Sequence, residues 1–353
     1  MMVERLPLDY SASTQLVEMF RQHLELCKVQ PGEHVLIHTD PGSYPHYAAA
    51  YMGAAIQLGA DVFQIVHPNR DEVAVVDAWR RADLVVDISS GPHAYGTIMR
   101  DAIEANTRLQ RIGVPVNTMR RLFPTTELKE RVLAGQTLMR NATKMRITSP
   151  GGTDLTFYKE GRDPMGIYSV SDVPGRWDIW PSGMVCCAPE EHKGGGVLVL
   201  SPGDYMLVLN QYVNDYVYLE MSDGRITSIK GGMQAELLKR WFAQFNSEDS
   251  YRIAHVGWGC EKRANWLIPG QDNECMYANM QIAFGSNIGI FKGATTLTNS
   301  HIDFPCLNNS YWVDDIHIME NGEFVREELR YQGEAGITTE TGGTQTGHGS
   351  RPG

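Results

Sequence analysis

Apolar residues along the first 145 positions alternate between two textures. Residues 12–27 place them at three- and four-residue spacing, which predicts an amphipathic helix. After the breaker Pro31-Gly32-Glu33 comes the short apolar run His34-Val35-Leu36-Ile37-His38, which predicts a strand. The pattern continues with a helix at 46–58, strands at 60–66 and 81–88, and a helix at 127–141. Strands separated by helices need right-handed crossovers, so this half is predicted to be an α/β unit on a parallel sheet.

The texture changes after Lys144. Arg146-Ile147-Thr148 and Leu155-Thr156-Phe157-Tyr158 flank Pro150-Gly151-Gly152, a hairpin signal. Further strands are predicted at 196–200, 205–209, 215–221 and 225–229, with one helix at 233–245. The second unit, 146–332, is therefore expected to be mainly antiparallel β with α+β character. Residues 333–353 are rich in Gly, Thr and Ser and have few apolar side chains, so they are expected to form a flexible tail. His348 lies in that tail and is set aside as a ligand.

Composition narrows the class only a little. The chain has 353 residues, 42% of them hydrophobic, which is enough for a sizeable core. Its 31 basic against 42 acidic residues give a net charge of −11, and no basic stripe is present, so nucleic acid is not an expected partner. There is no apolar run long enough to span a membrane and no apolar signal core near Met1, so a cytoplasmic protein is expected. The six cysteines, Cys27, Cys186, Cys187, Cys260, Cys275 and Cys306, form no CxxC pair and suggest reduced thiols.

Four segments could carry chemistry. In Ser300-His301-Ile302-Asp303, a strand would turn His301 and Asp303 to one face, an arrangement that can chelate a metal. A solvated strand face would account for the same triplet. Ala254-His255-Val256-Gly257-Trp258-Gly259 sets a histidine in an apolar run before glycines, where a lone histidine is more often a hydrogen-bonded core residue and gains value only beside His301 and Asp303. Ala188-Pro189-Glu190-Glu191-His192-Lys193 precedes three glycines, and Glu191 and His192 are candidate proton donors or acceptors. Gly91-Pro92-His93 follows a predicted parallel strand, which makes His93 a candidate substrate contact. Nucleophile-elbow, Walker and dinucleotide motifs are absent.

Read in order, several short motifs resemble the aminopeptidase T family of thermophilic metallo-aminopeptidases. Gly152-Thr153-Asp154-Leu155 resembles its G-T-D-L, and Gly183-Met184-Val185-Cys186-Cys187-Ala188-Pro189 its G-E-V-x-x-A-P. Ala254-His255 falls at its G-E pair, Gln281-Ile282-Ala283-Phe284-Gly285 resembles its H-I-A-L-G, and His301-Ile302-Asp303 its closing H-x-D. The resemblance covers roughly residues 145–320. Met184, His255 and Gln281 replace metal-binding residues of the peptidases, so a carboxylate-bridged metal pair is not expected.

The remaining set, His255, His301 and Asp303, is similar to one branch of that fold, the 2,5-dihydroxypyridine 5,6-dioxygenases of nicotinate breakdown. The resemblance implies one Fe(II) per subunit on those three ligands and extradiol-type cleavage of a dihydroxylated N-heteroaromatic by dioxygen to N-formylmaleamate. It also implies a homo-oligomer. Glu191 and His192 are the candidate acid and base. Trp258, Tyr277, Ser300 and Phe304 beside the ligand motifs, together with His93, are the candidate pocket. Two rival readings stay open: a metal-dependent aminopeptidase and a non-catalytic protein that binds small aromatic molecules.

Overall fold

The computed structural model describes residues 10–68, 72–90 and 96–331. His93 and the 333–353 tail lie outside the described residues.

The first sheet is wholly parallel. Its strands run in the order Asp61–Val66, His34–Thr39, Leu84–Asp87, Arg108–Ile112 and Trp177–Trp180. Val35 and Ile37 on one strand and Leu84 and Val86 on the next are completely buried, as expected where helices cover both faces. The predicted helices form at Tyr10–Leu26, Pro45–Gln57 and Thr126–Arg140. Thr125 starts the last of these, its hydroxyl accepting a bond from the Leu128 N–H (3.2 Å).

Two strands of this sheet escaped the hydrophobic pattern. Arg108–Ile112 reads as polar because it buries Arg108 against Glu33 and Gln110 against the Ser171 N–H (3.0 Å). Trp177–Trp180 comes from beyond residue 145 and pairs in parallel with Arg108–Ile112. The boundary expected at 145 is therefore not a clean cut.

The rest of the chain forms two larger antiparallel layers and a small hairpin. An eight-stranded sheet has the predicted hairpin Lys144–Thr148/Asp154–Tyr158 at its centre, and the helix Met233–Ala243 packs on it. The predicted strand at 205–209 shortens to Tyr205–Met206.

A five-stranded sheet has the order His301–Cys306, Met280–Gly285, Ile253–Gly259, Met184–Cys187 and Met165–Ile167. Its even-numbered positions around Val256, Trp258, Ile282, Phe284, Ile302 and Phe304 are fully buried in the main core. The opposite face, with Ile167, Met184 and Cys186, packs against Ile98, Met99 and Trp177 of the parallel sheet and its helices. That junction holds the candidate site.

Candidate metal centre

Strand alternation brings three side chains together on this face. His255 on one strand and Asp303 on another are both in register with Ala283 of the strand between them, and His301 is in register with Gly285. The middle strand thus contributes only a methyl group and a hydrogen there, which leaves room for the longer side chains to converge. Asp303 Oδ1 lies 3.1 Å from His255 Nε2, and Asp303 Oδ2 lies 3.2 Å from His301 Nε2. The two imidazole planes are 29° apart with centroids separated by 5.4 Å. One ligand atom from each residue fits within 4.8 Å of the others.

The electrostatics suit a divalent cation. His255 is buried, and that burial lowers its pKa, favouring the neutral imidazole a metal requires. Burial alone would raise Asp303, but His301 and His255 outweigh it and hold the carboxyl well below the usual carboxylate range. His301 is half-buried and donates its Nδ1–H to the Ser286 carbonyl at 2.8 Å. That bond leaves Nε2, the atom facing Asp303, as the lone-pair nitrogen. A neutral nitrogen pair with one carboxylate is the donor set of mononuclear non-haem iron sites, so these residues fit one such ion.

The connection from Ser286 to Ser300 reaches the site at two points, the Ser286 carbonyl and Phe291. Its neck is held by the Ser286 N–H bonded to the Ser300 carbonyl (2.8 Å), and it places the Phe291 ring 5.4 Å from that of His255. Phe291 carried no motif in the sequence. The only signal was an unusually long connection leading into the strand of His301 and Asp303. Ser300 is buried at the base of the connection, its hydroxyl 3.5 Å from that of Thr298, directly before His301.

Other expected residues are placed elsewhere. Trp258 and Phe304 have the wrong strand parity for the ligand face. Trp258 packs edge-on against Tyr311 (5.1 Å), and Phe304 lies against Phe284 (5.9 Å). Tyr277 packs against Phe324, and its hydroxyl accepts the Tyr331 N–H at 3.0 Å. His192 is exposed, with its ring nitrogen 3.0 Å from an Arg252 guanidinium nitrogen. Glu191 is buried. Its carboxylate is paired with Arg162 and accepts bonds from the Thr295 N–H (2.8 Å) and the Asn287 amide (3.2 Å). Burial alone would raise its pKa, but those partners lower it, so Glu191 acts as an anionic anchor for the Ser286–Ser300 connection.

Sequence reading also missed Glu274, which lies on the short helix Gln271–Cys275 packed against the ligand strands. The Gln281 amide donates to the Glu274 carbonyl, so the residue at a peptidase metal position serves here as a clamp on this helix.

Taken together, the fold and the geometry set out a candidate two-histidine, one-carboxylate metal site on an aminopeptidase T-like scaffold. Wild-type AmpT from Thermus thermophilus matches the fold with a TM-score of 0.63 at 14% identity, over 90% of this chain and all of that one. The family model for 2,5-dihydroxypyridine 5,6-dioxygenase matches residues 15–326. The chain belongs to the 2,5-dihydroxypyridine 5,6-dioxygenase family, and is an oxidoreductase of the ring-cleaving dioxygenase class. The 2,5-dihydroxypyridine 5,6-dioxygenase of Pseudomonas putida (strain KT2440) is 31% identical over 346 residues, spanning 90% of this chain and 98% of the relative. A solved structure of the dioxygenase from the same organism superposes with a TM-score of 0.84 at 30% identity, over 92% of this chain and 100% of that one. Among the described residues, no helix is long and apolar enough to cross a membrane.

Proposed function

We propose that this enzyme cleaves 2,5-dihydroxypyridine with dioxygen, giving N-formylmaleamate, and that His255, His301 and Asp303 hold one Fe(II) per subunit. The observation that carries the proposal is the convergence of these three side chains within 4.8 Å, in a chain that matches the dioxygenase family almost end to end. The aminopeptidase reading is disfavoured by the same sheet. Met184 offers a buried thioether at one peptidase metal position, and Gln281 spends its amide on the Glu274 carbonyl at another.

When bound, Fe(II) would supply the redox chemistry that couples the electron-rich ring to dioxygen. The protein's own part is arrangement. Asp303 bridges both imidazoles through its two oxygens, and the Ser286 carbonyl fixes the His301 tautomer. Phe291 offers an aromatic wall for a planar ring and shields His255 from water. Glu191, held by Arg162, keeps the connection bearing Ser286 and Phe291 in place.

The test is anaerobic loading with Fe(II), followed by oxygen uptake on 2,5-dihydroxypyridine for the wild type and His255→Ala. One iron per chain and stoichiometric uptake that vanishes in the variant are expected. No uptake, with peptide cleavage supported by Zn(II) or Co(II), would overturn the proposal.

A further inference from the structure

The side chains of His255, Asp303 and His301 are only 5%, 11% and 17% exposed. A planar ring reaches their ligand atoms only if part of their surroundings moves. The connection from Ser286 to Ser300 is built in two parts. Its neck is cross-bonded. The Asn287 N–H donates to the Thr296 carbonyl (3.0 Å), the Thr296 N–H donates back to Asn287 Oδ1 (2.9 Å), and Glu191 takes the Thr295 N–H and the Asn287 amide. The tip, residues 289–293, is packed. Ile290 and Phe291 are buried in an apolar cluster with Ile98 and Met99 of the helix Thr97–Glu104, and Lys292 and Gly293 are exposed.

Left-handed glycines mark both ends of the tip, Gly289 at φ +109° and Gly293 at φ +80°. A Cβ on Gly289 would lie 2.7 Å from the Gly96 carbonyl oxygen and 3.3 Å from the Met99 Cβ, so the connection rests directly on the chain entering that helix. A Cβ on Gly293 would meet nothing closer than the Arg162 side chain at 3.8 Å, so glycine there serves backbone freedom rather than space. We propose that residues 289–293 form a gate to the metal centre, hinged at these two glycines. It lifts Ile290 and Phe291 to admit the hydroxylated ring and latches when Gly289 seats on Gly96. This rests on the proposed function and names the element that admits and retains the substrate. Glu191 holds the neck still, so the motion stays in the tip and Ser286 keeps its bond to His301. Reclosing excludes water from the bound ring.

The experiment starts with hydrogen exchange of the full chain, read by mass spectrometry with and without Fe(II). Amides at 290–293 should exchange at least about 10-fold faster than the neck amides of Ser286, Asn287 and Thr296. Saturating 2,5-dihydroxypyridine without oxygen should slow them. Gly289→Ala cannot seat on Gly96. In that variant, anaerobic release of 2,5-dihydroxypyridine and loss of Fe(II) to a chelating dye should both quicken on the order of 10-fold, with equilibrium iron affinity unchanged. Ile290→Ala, which loosens the tip's packing and leaves the backbone alone, should move both rates the same way, and it carries the test if Gly289→Ala fails to fold. Tip amides as protected as the neck would overturn the proposal, as would rates within about twofold of wild type in both variants. A fall in iron affinity would overturn it too, by making the tip a support of the metal. Wild-type protein that binds no 2,5-dihydroxypyridine would count against the proposed function alone, because exchange and metal loss still report on the gate.

Discussion

His301 Nδ1 and the Ser286 carbonyl lie 2.8 Å apart, and the strand residue directly before Ser286 is Gly285 at φ +105°. A side chain at 285 would put its Cβ 2.3 Å from the Ser300 carbonyl oxygen, in a backbone region that other residues avoid. The turn that aims Ser286 at His301 therefore depends on glycine.

Gly285→Ala should destabilise the fold by about 1–3 kcal/mol and weaken Fe(II) binding by roughly 10–100-fold, through loss of the second ring bond of His301. Thermal unfolding of the metal-free protein and competition titration with a chelating dye separate the two effects. Unchanged iron affinity would show that the Ser286 bond does not tune the ligand.

Asp303→Asn leaves the shape intact but removes the charge that holds both imidazoles. Bound iron should fall more than about 100-fold, exceeding the effect of outer-shell changes, with an unaltered circular dichroism spectrum. Removing metal from the wild type with a chelator should abolish oxygen uptake, and Fe(II) should restore it where Zn(II) does not.

Glu191 gives a sharper contrast. As an anchor, Glu191→Gln should break a buried pair with Arg162 and cost about 3–5 kcal/mol, lowering the melting temperature. The limbs of the kcat/KM pH profile should keep their positions. Loss of one limb would instead identify Glu191 as an acid or base.

His23 is fully buried between Ser169, whose carbonyl it meets at 2.9 Å, and the Tyr51 hydroxyl at 3.2 Å. Burial lowers its pKa from 6.5 to about 4. The fold favours the neutral ring, so its contribution is complete above about pH 6.5 and is lost as pH falls towards 4. Between pH 7.5 and 4.5 this group should remove about 2–3 kcal/mol. Denaturant titrations should show a correspondingly shallower pH dependence in His23→Gln.

The convergence at the candidate site was partly legible because strand parity is a property of sequence. His301 and Asp303 are two positions apart, so any strand there turns them to one face. The same rule, applied one position further, would have removed Phe304 and Trp258 from the pocket, since each differs in parity from its neighbouring ligand. Partners across sheets were not legible. Glu191 looked like a loop acid until Arg162 and Thr295 were seen to claim its oxygens. Glu274 had no motif because its placement depends on Gln281 and Arg121, far apart in sequence. Arg108–Ile112 was hidden as a strand for a related reason: its polar side chains find buried partners from distant segments.

The strand Trp177–Trp180 lies along the edge of Arg108–Ile112 with Asp178 completely buried beside Arg176. On the ribosome, the first 145 residues would emerge as a four-stranded sheet with a bare edge, unable to close until about 35 more residues had been made. The two halves are thus sewn together by the chain itself. A gene split at residue 145 would leave an adhesive sheet border on one fragment and a stranded, charge-bearing strand on the other.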